Sequence, residues 1–266
     1  MDVLKLAEAG DAEAQYQIGF FYDIGDTDEF PQSYEKAVEW YSKAAELGHP
    51  QAQSELGRCY AEALGVSQDD ELALRWYRKA AEQDDVNAQV MVGVFNLKGR
   101  GMDRPSFDEA ALWFQKAADN GDAEAQRRLA FLYLEGKGVA GDRLQAIQLF
   151  ERAAANGDDI ALVHLGDMVL DESPLKSGDC YEKAASLGNR LAQYKLGLLY
   201  QSGRGREKDV SEALRIFLEL EQGGVDYSGL WSFGELLSHI HKCYESLGNT
   251  EEAAYYLEEA SHFSPK

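Results

Sequence analysis

Apolar and small residues recur along this chain at the 3.6-residue spacing of a helix buried on one face. The stretch from 122 to 156 shows the pattern plainly. Ala125, Leu129, Phe131, Leu132, Tyr133 and Leu134 follow helical spacing after Asp122, a residue type suited to capping a helix. Gly136-Lys137-Gly138-Val139 should end that helix, because glycine takes the left-handed backbone that a helix terminus often needs. A second helix is predicted from Arg143 to Ala155, with Ala146, Leu149, Phe150, Ala153 and Ala154 on one face and Gly157 as its stop.

This two-helix phrase occurs six times. Its anchors are Ala14-Gln15, Ala52-Gln53, Ala88-Gln89, Ala125-Gln126, Ala161-Leu162 and Ala192-Gln193, and each interval between them is long enough for one helix pair. Such a period marks stacked supersecondary units that bury their apolar faces against neighbours. Gly19, Gly57, Gly93, Ala130, Gly166 and Gly197 share one slot of the first helix. A mid-helix glycine costs about 1 kcal/mol relative to alanine, so its recurrence predicts close approach of a neighbouring helix. The second helices place a ring (Tyr41, Tyr77, Phe114, Phe150) between paired alanines, which predicts large-against-small interdigitation. Trp40, Trp76 and Trp113 precede those rings and should seal contacts between repeats. Ser106 with Glu109, and Asp209 with Glu212, have capping-box spacing before second helices.

Taken together, Ala-Gln, apolar-Gly, Tyr, Gly-x-Gly-Val and Ala-x-x-Trp-Tyr-x-x-Ala-Ala resemble the Sel-1-like repeat, a relative of the tetratricopeptide repeat. The resemblance implies an all-α fold: a right-handed α/α superhelical solenoid of about seven helix pairs in one domain. Residues 1–10 would form an N-terminal capping helix and 11–222 six repeats. Residues 223–266 would form a tetratricopeptide-like C-terminal cap, on the offsets of Leu237, Tyr244, Gly248, Ala253, Leu257, Ala260 and Pro265, joined through residues 225–229. Some copies depart from the pattern. The first loop, Asp23-Ile24-Gly25-Asp26, lacks Gly-x-Gly. Pro174 interrupts the fifth repeat, where Gly178-Asp179-Cys180-Tyr181 stands in place of the Trp-aromatic pair.

Charge narrows the partners. The formal net charge is −21, from 47 acidic and 26 basic residues. That field disfavours nucleic acid and anionic membranes, and favours a basic protein over an acidic one. It also suits a bacterial-style soluble protein kept dispersed by repulsion. Cys59, Cys180 and Cys243 form no disulfide framework, which points to a reducing compartment. The first ten residues carry no secretory pattern, and no apolar run approaches the ~18 residues of a membrane helix. A cytoplasmic monomer is expected.

Catalytic chemistry is sparse. Gly99-Arg100-Gly101, Gly136-Lys137-Gly138 and Gly203-Arg204-Gly205 invite a phosphate-loop reading, but they follow helices where a phosphate loop follows a strand, so they read as turns. His239, His241 and Cys243 are the densest metal-ligand set, yet only His239 and Cys243 share a helix face, and a closed zinc site needs four ligands. His49 is expected in an inter-repeat turn and His164 on a first helix. Some disulfide-rich secreted Sel-1-like proteins have been regarded as β-lactamase-like, but their regular cysteine pairs are absent here. No cofactor, metal or enzymatic activity is expected.

In tetratricopeptide-like solenoids the first helices line the concave face. Carried onto this chain, that places Tyr16, Phe20, Arg58, Val90, Val94, Arg127, Phe131, Val163, Tyr194 and Leu198 as partner-binding residues. An apolar stripe rimmed by charge is the mark of a peptide or protein groove, and Arg58 and Arg127 could engage a ligand carboxylate. The same periodicity would arise if the stripe were core. The expectation is therefore a non-catalytic adaptor that binds a protein or peptide segment. An acidic immunity or inhibitor protein that neutralises a basic toxin or nuclease stands second, and an enzyme third.

Overall fold

The computed structural model describes residues 3–223 and 233–263, which are helical throughout apart from their turns and an isolated bridge between Thr27 and Phe30. They contain fifteen helices: α1 (Val3–Glu8), α2 (Ala12–Ile24), α3 (Tyr34–Glu46), α4 (Pro50–Glu62), α5 (Asp70–Ala81), α6 (Val86–Lys98), α7 (Phe107–Asp119) and α8 (Ala123–Glu135) come first. α9 (Arg143–Ala155), α10 (Asp159–Val169), α11 (Pro174–Ser186), α12 (Arg190–Ser202), α13 (Val210–Gln222), α14 (Phe233–Leu247) and α15 (Thr250–His262) follow. Fourteen helices follow α1, the number that about seven helix pairs require. Residues 225–229 and Pro265 lie outside the described residues. The chain divides into two compact units, Met1–Leu149 and Phe150–Lys266.

Short polar signals set the helix bounds. Asp11, Asp85, Asp122, Asp158 and Asn189 each accept the backbone N–H three residues on, at 2.7–2.8 Å, and so start a first helix. His49 performs this task for α4 with Nδ1. Asp209 caps α13 as expected, but Ser106 makes no side-chain cap bond. Pro174 does not interrupt the fifth repeat. It opens α11 at the first turn, where its missing N–H and fixed φ cost nothing.

In the N-terminal unit consecutive helices pack within and between pairs: α2 on α3, α3 on α4, and so on to α8. The glycine slot explains the pairing. A Cβ on Gly19 would stand 2.6 Å from the Tyr41 ring, on Gly57 2.9 Å from Tyr77, and on Gly93 2.5 Å from Phe114. The close approach expected from the sequence is thus made by the ring of the same repeat's second helix. Trp40 packs on the cluster of Ala7, Ala14, Ile18 and Phe30, and Trp76 on the Ala37–Cys59 cluster one pair later. Trp113 belongs to the Ala61–Phe95 cluster. Each tryptophan therefore seals a junction with the preceding pair, and carries a lysine (Lys43, Lys79, Lys116) 3.8–4.0 Å above its ring.

A second backbone contact joins neighbouring pairs. Gly65, Gly101 and Gly138 have φ near +70°, and a Cβ on them would lie 2.2–2.3 Å from the backbone of Tyr34, Asp70 and Phe107, the first residues of α3, α5 and α7. Only glycine fits both the left-handed backbone and that approach. The separation of the two partners along the chain is identical every time, although the alanine anchors vary in spacing. Among these three repeats the difference in anchor spacing falls in the loop between the glycine and the next helix, which is longer from Gly101 to Phe107 than from Gly65 to Asp70.

The C-terminal unit retains both backbone contacts. A Cβ on Gly166 would lie 2.5 Å from Tyr181, and one on Gly197 2.5 Å from Phe217. Gly205 approaches Pro174, the first residue of α11, at the same separation along the chain as in the N-terminal joints. α10 packs on α11, α11 on α12, α12 on α13, α13 on α14 and α14 on α15.

Candidate functional site

First helices of three successive repeats line an open groove of about 310 Å³ in the N-terminal unit. α4 contributes Ser54, Glu55, Arg58 and Glu62, while α6 contributes Asn87, Val90 and Met91. Asp122 and Glu124 close it at the start of α8, and Tyr77 of α5 lies beneath. The side chains arrive together because Asp85 and Asp122 start α6 and α8 in the same register relative to the glycine slot.

Arg58 is already engaged. Its guanidinium pairs with Asp23 of α2 and with Glu55 at 2.7 Å, and Glu62 stands 3.8 Å away. Asp23 also accepts from the Tyr41 hydroxyl at 3.1 Å. Burial works against the Arg58 charge, but bonding to Glu55 and the charge of Asp23 outweigh it and raise its pKa. Burial likewise raises the Tyr41 hydroxyl, helped by Asp23. Arg58 is thus already paired within the chain on the face where the sequence placed it. Glu124 faces Arg128 at 2.6 Å. The groove is rimmed mainly by carboxylates.

The ten residues projected as partner-binding fall into different settings. Phe20 is exposed, at 42%, beside the half-buried Tyr16, their ring centroids 6.5 Å apart. Tyr16 stacks on His49 at 4.8 Å, and His49 donates from Nε2 to Glu13 at 3.0 Å. That bond, with one from Gln17, holds the Glu13 carboxyl below its ordinary range. Arg127, Phe131 and Leu198 are half-buried on first helices. Val90 and Val94 are only 7% and 8% exposed, Val163 1% and Tyr194 9%. These four pack as core. Neighbouring helices cover the side of each first helix that the periodicity marks as apolar, and Val90 alone of the four reaches the groove. Tyr194 packs on Phe217 and His239, and burial lifts its hydroxyl to about 12.

The sequence also hid a buried amide clamp. Gln15, Gln53, Gln89 and Gln126 each donate from Nε2 to the carbonyl eight residues earlier, at Ala7, Ala45, Ala81 and Ala118. The Oε1 atoms of Gln53 and Gln89 accept from Gln83 and Asn120, one repeat on. The signal was the recurrent glutamine after the anchor alanine. Leu47 occupies the corresponding donor position for Gln15, whose Oε1 is buried without a partner.

In the C-terminal unit a smaller pocket of about 250 Å³ lies among α11, α12 and α13. Its Arg215 pairs with Glu212 and Glu219, at 2.6 and 2.5 Å. His239 donates from Nδ1 to Gln201 Oε1 at 2.7 Å, and Gln201 Nε2 donates to Cys243 Sγ at 3.1 Å. Both side chains of the candidate metal pair are thus tied to one amide. Among the described residues no group of three or more His, Cys, Asp or Glu is placed to hold a metal ion, and no helix is long and apolar enough to cross a membrane.

The Sel1 repeat model matches residues 12–49, 50–85, 86–122, 123–158, 162–189, 190–219 and 246–262. The chain belongs to the Sel1 repeat family. The first four matches begin at the first residues of α2, α4, α6 and α8, and the seventh lies in the C-terminal segment read as tetratricopeptide-like. A Sel1 repeat protein from Oxalobacter formigenes is 32% identical, with a TM-score of 0.71 over 81% of this chain and 89% of that one. The protective antigen c5321, found in uropathogenic Escherichia coli strains, has an SLR fold and is 29% identical. Its TM-score is 0.54, over 98% of this chain and 63% of that one. Human wolframin is 40% identical over 72 residues, 26% of this chain and 8% of wolframin. Sel1 repeat proteins are typically protein-interaction scaffolds and generally non-catalytic.

Proposed function

We propose that this Sel1 repeat chain is a non-catalytic scaffold and that a segment of a protein partner docks across α4, α6 and α8. The observation that supports it is the groove itself, built by equivalent faces of three consecutive repeats and open to solvent. Phe20, exposed on the neighbouring first helix α2, extends that face with an apolar contact, while Arg127 and Phe131 do so on α8. Three free, buried cysteines suit a reducing, cytoplasmic setting, and the working state we propose is a monomer.

Asn87 is exposed in the groove, so Asn87→Trp should fill it without disturbing the core. Affinity capture with the wild-type chain should retain a stoichiometric partner that Asn87→Trp loses at unchanged helicity. A partner held equally by both would remove the groove from the reading.

The net charge of −21 favours a second reading, an inhibitor that masks a basic toxin or nuclease. It differs in its salt dependence. A complex dominated by surface charge should weaken steeply as ionic strength rises, whereas a groove-docked apolar segment should not.

A further inference from the structure

The groove combines two kinds of surface. Its floor is apolar, made by Tyr77, Val90 and Met91, and its rim carries Glu55, Glu62 and Glu124. An acidic segment or a phosphate would meet that rim at a loss. Glu55 and Glu124 already meet Arg58 and Arg128, but a plain apolar helix would cover Glu62, which has no close partner, and that costs free energy. Lysine and arginine side chains match both surfaces, because an apolar stem can lie on the floor while the charged head stays among the carboxylates at the solvent edge.

We infer that the occupant of the groove is a cationic segment of a protein partner, one that lays an arginine or lysine along Val90 and Met91 with its head at Glu62 and Glu124. The inference rests on the docking reading above. Arg58 and Arg128 support it from within the chain, since guanidinium groups already sit beside Glu55 and Glu124, and with Glu62 and Asp122 the rim remains net negative. Glu62 lies 3.8 Å from Arg58, too far for a close hydrogen bond, and its side chain is more than half exposed. The overall negative field would speed the encounter.

The test uses a fluorescein-labelled peptide of alternating arginine and alanine, and its glutamate counterpart, against the full chain at about 0.15 M salt, where surface charges are screened beyond ~8 Å. Fluorescence anisotropy should show the arginine peptide binding and the glutamate peptide not. Glu62→Gln with Glu124→Gln should weaken the arginine peptide by about tenfold, the loss expected for two charge-assisted contacts. Glu251→Gln with Glu252→Gln, exposed on α15, changes the net charge equally and should move binding less than about twofold, as a screened distant pair would. Equal weakening by both pairs would show a general field effect and overturn the inference, as would absence of arginine-peptide binding. If a natural partner is lost with Asn87→Trp but unmoved by Glu62→Gln and Glu124→Gln, the docking reading stands and the cationic occupant falls.

Discussion

The N-terminal unit repeats its side-chain contacts with regularity, whereas the C-terminal unit replaces many of them and folds into the same helix pairs. Leu162 stands where the first four repeats have the clamping glutamine, and Cys180 and Ile216, like Leu149 at the end of the N-terminal unit, stand where the first three have tryptophan. Both backbone contacts survive in both units: the ring laid on the glycine slot, and the loop glycine laid on the start of the preceding second helix. The difference teaches which contacts define the repeat. Close backbone approach sets the geometry, while the amide clamp and the Trp–Lys stack reinforce it and can be exchanged.

The strongest way to break this comparison is at the loop glycines. Gly138→Ala would force a Cβ to 2.2 Å from the Phe107 carbonyl oxygen at a φ of +69°. Left-handed strain of about 1–2 kcal/mol and overpacking of about 1–3 kcal/mol should combine to roughly 2–5 kcal/mol, read by urea unfolding. Gly205→Ala, against Pro174, should lose a comparable amount in the less regular unit. A much smaller loss there would mean that the two units do not share this joint.

Next come the ring-facing glycines. Gly93→Ala and Gly197→Ala each gain about 1 kcal/mol of helix propensity yet drive a Cβ to 2.5 Å from Phe114 or Phe217. Each should be net destabilising by about 1–2 kcal/mol, the balance of that gain against overpacking. Trimming the ring, as in Gly93→Ala with Phe114→Leu, should recover part of the loss in a double-mutant cycle.

The amide clamp should show a smaller effect with a sign that depends on place. Gln89→Leu removes the side-chain bonds to the Ala81 carbonyl, which keeps the Asp84 N–H, and from the Asn120 amide, and should cost about 1 kcal/mol. Leu47→Asn in the first repeat should instead gain about 0.5–1 kcal/mol by offering a donor to Gln15 Oε1. A stabilised Leu47→Asn melting profile would identify the missing donor as the defect of that junction.

Smallest is the pH term at Asp70. Arg100 donates to it at 3.0 Å through Nε, and this bond holds the Asp70 carboxyl below its ordinary 3.8. A depressed folded value means the pair stabilises above pH 4 and loses that contribution as pH falls through 3.8 to the lower folded value. Because both groups are partly exposed, the effect should stay within about 1 kcal/mol. Asp70→Asn should flatten the acid side of the stability curve by that amount and leave its salt dependence weaker.

The repeat architecture was legible because one phrase recurs with correlated spacing. The predicted bounds of the helix at Arg143–Ala155 match the structure, and the glycine slot announced its close contact. Exposure was not legible. Val94 and Val163 share the helical period of a surface stripe, and the period does not say which neighbouring helix covers it. Pairing across distance was hidden too. Asp23 meets Arg58 from 35 positions earlier in the chain, and no local pattern names that carboxylate. Pro174 misled because proline breaks a helix interior but suits its first turn.

The constant separation along the chain between each loop glycine and the backbone it covers also sets an order of assembly on the ribosome. The amino end of α7 stays uncovered until Gly138 has left the exit tunnel, and that of α5 until Gly101 has. Each of these joints is thus completed by the repeat synthesised after it, so they can close in sequence from the amino end through contacts local in the chain. An insertion between a loop glycine and the next helix would delay that sequence without altering any joint. An insertion between a covered helix start and its glycine would misplace one.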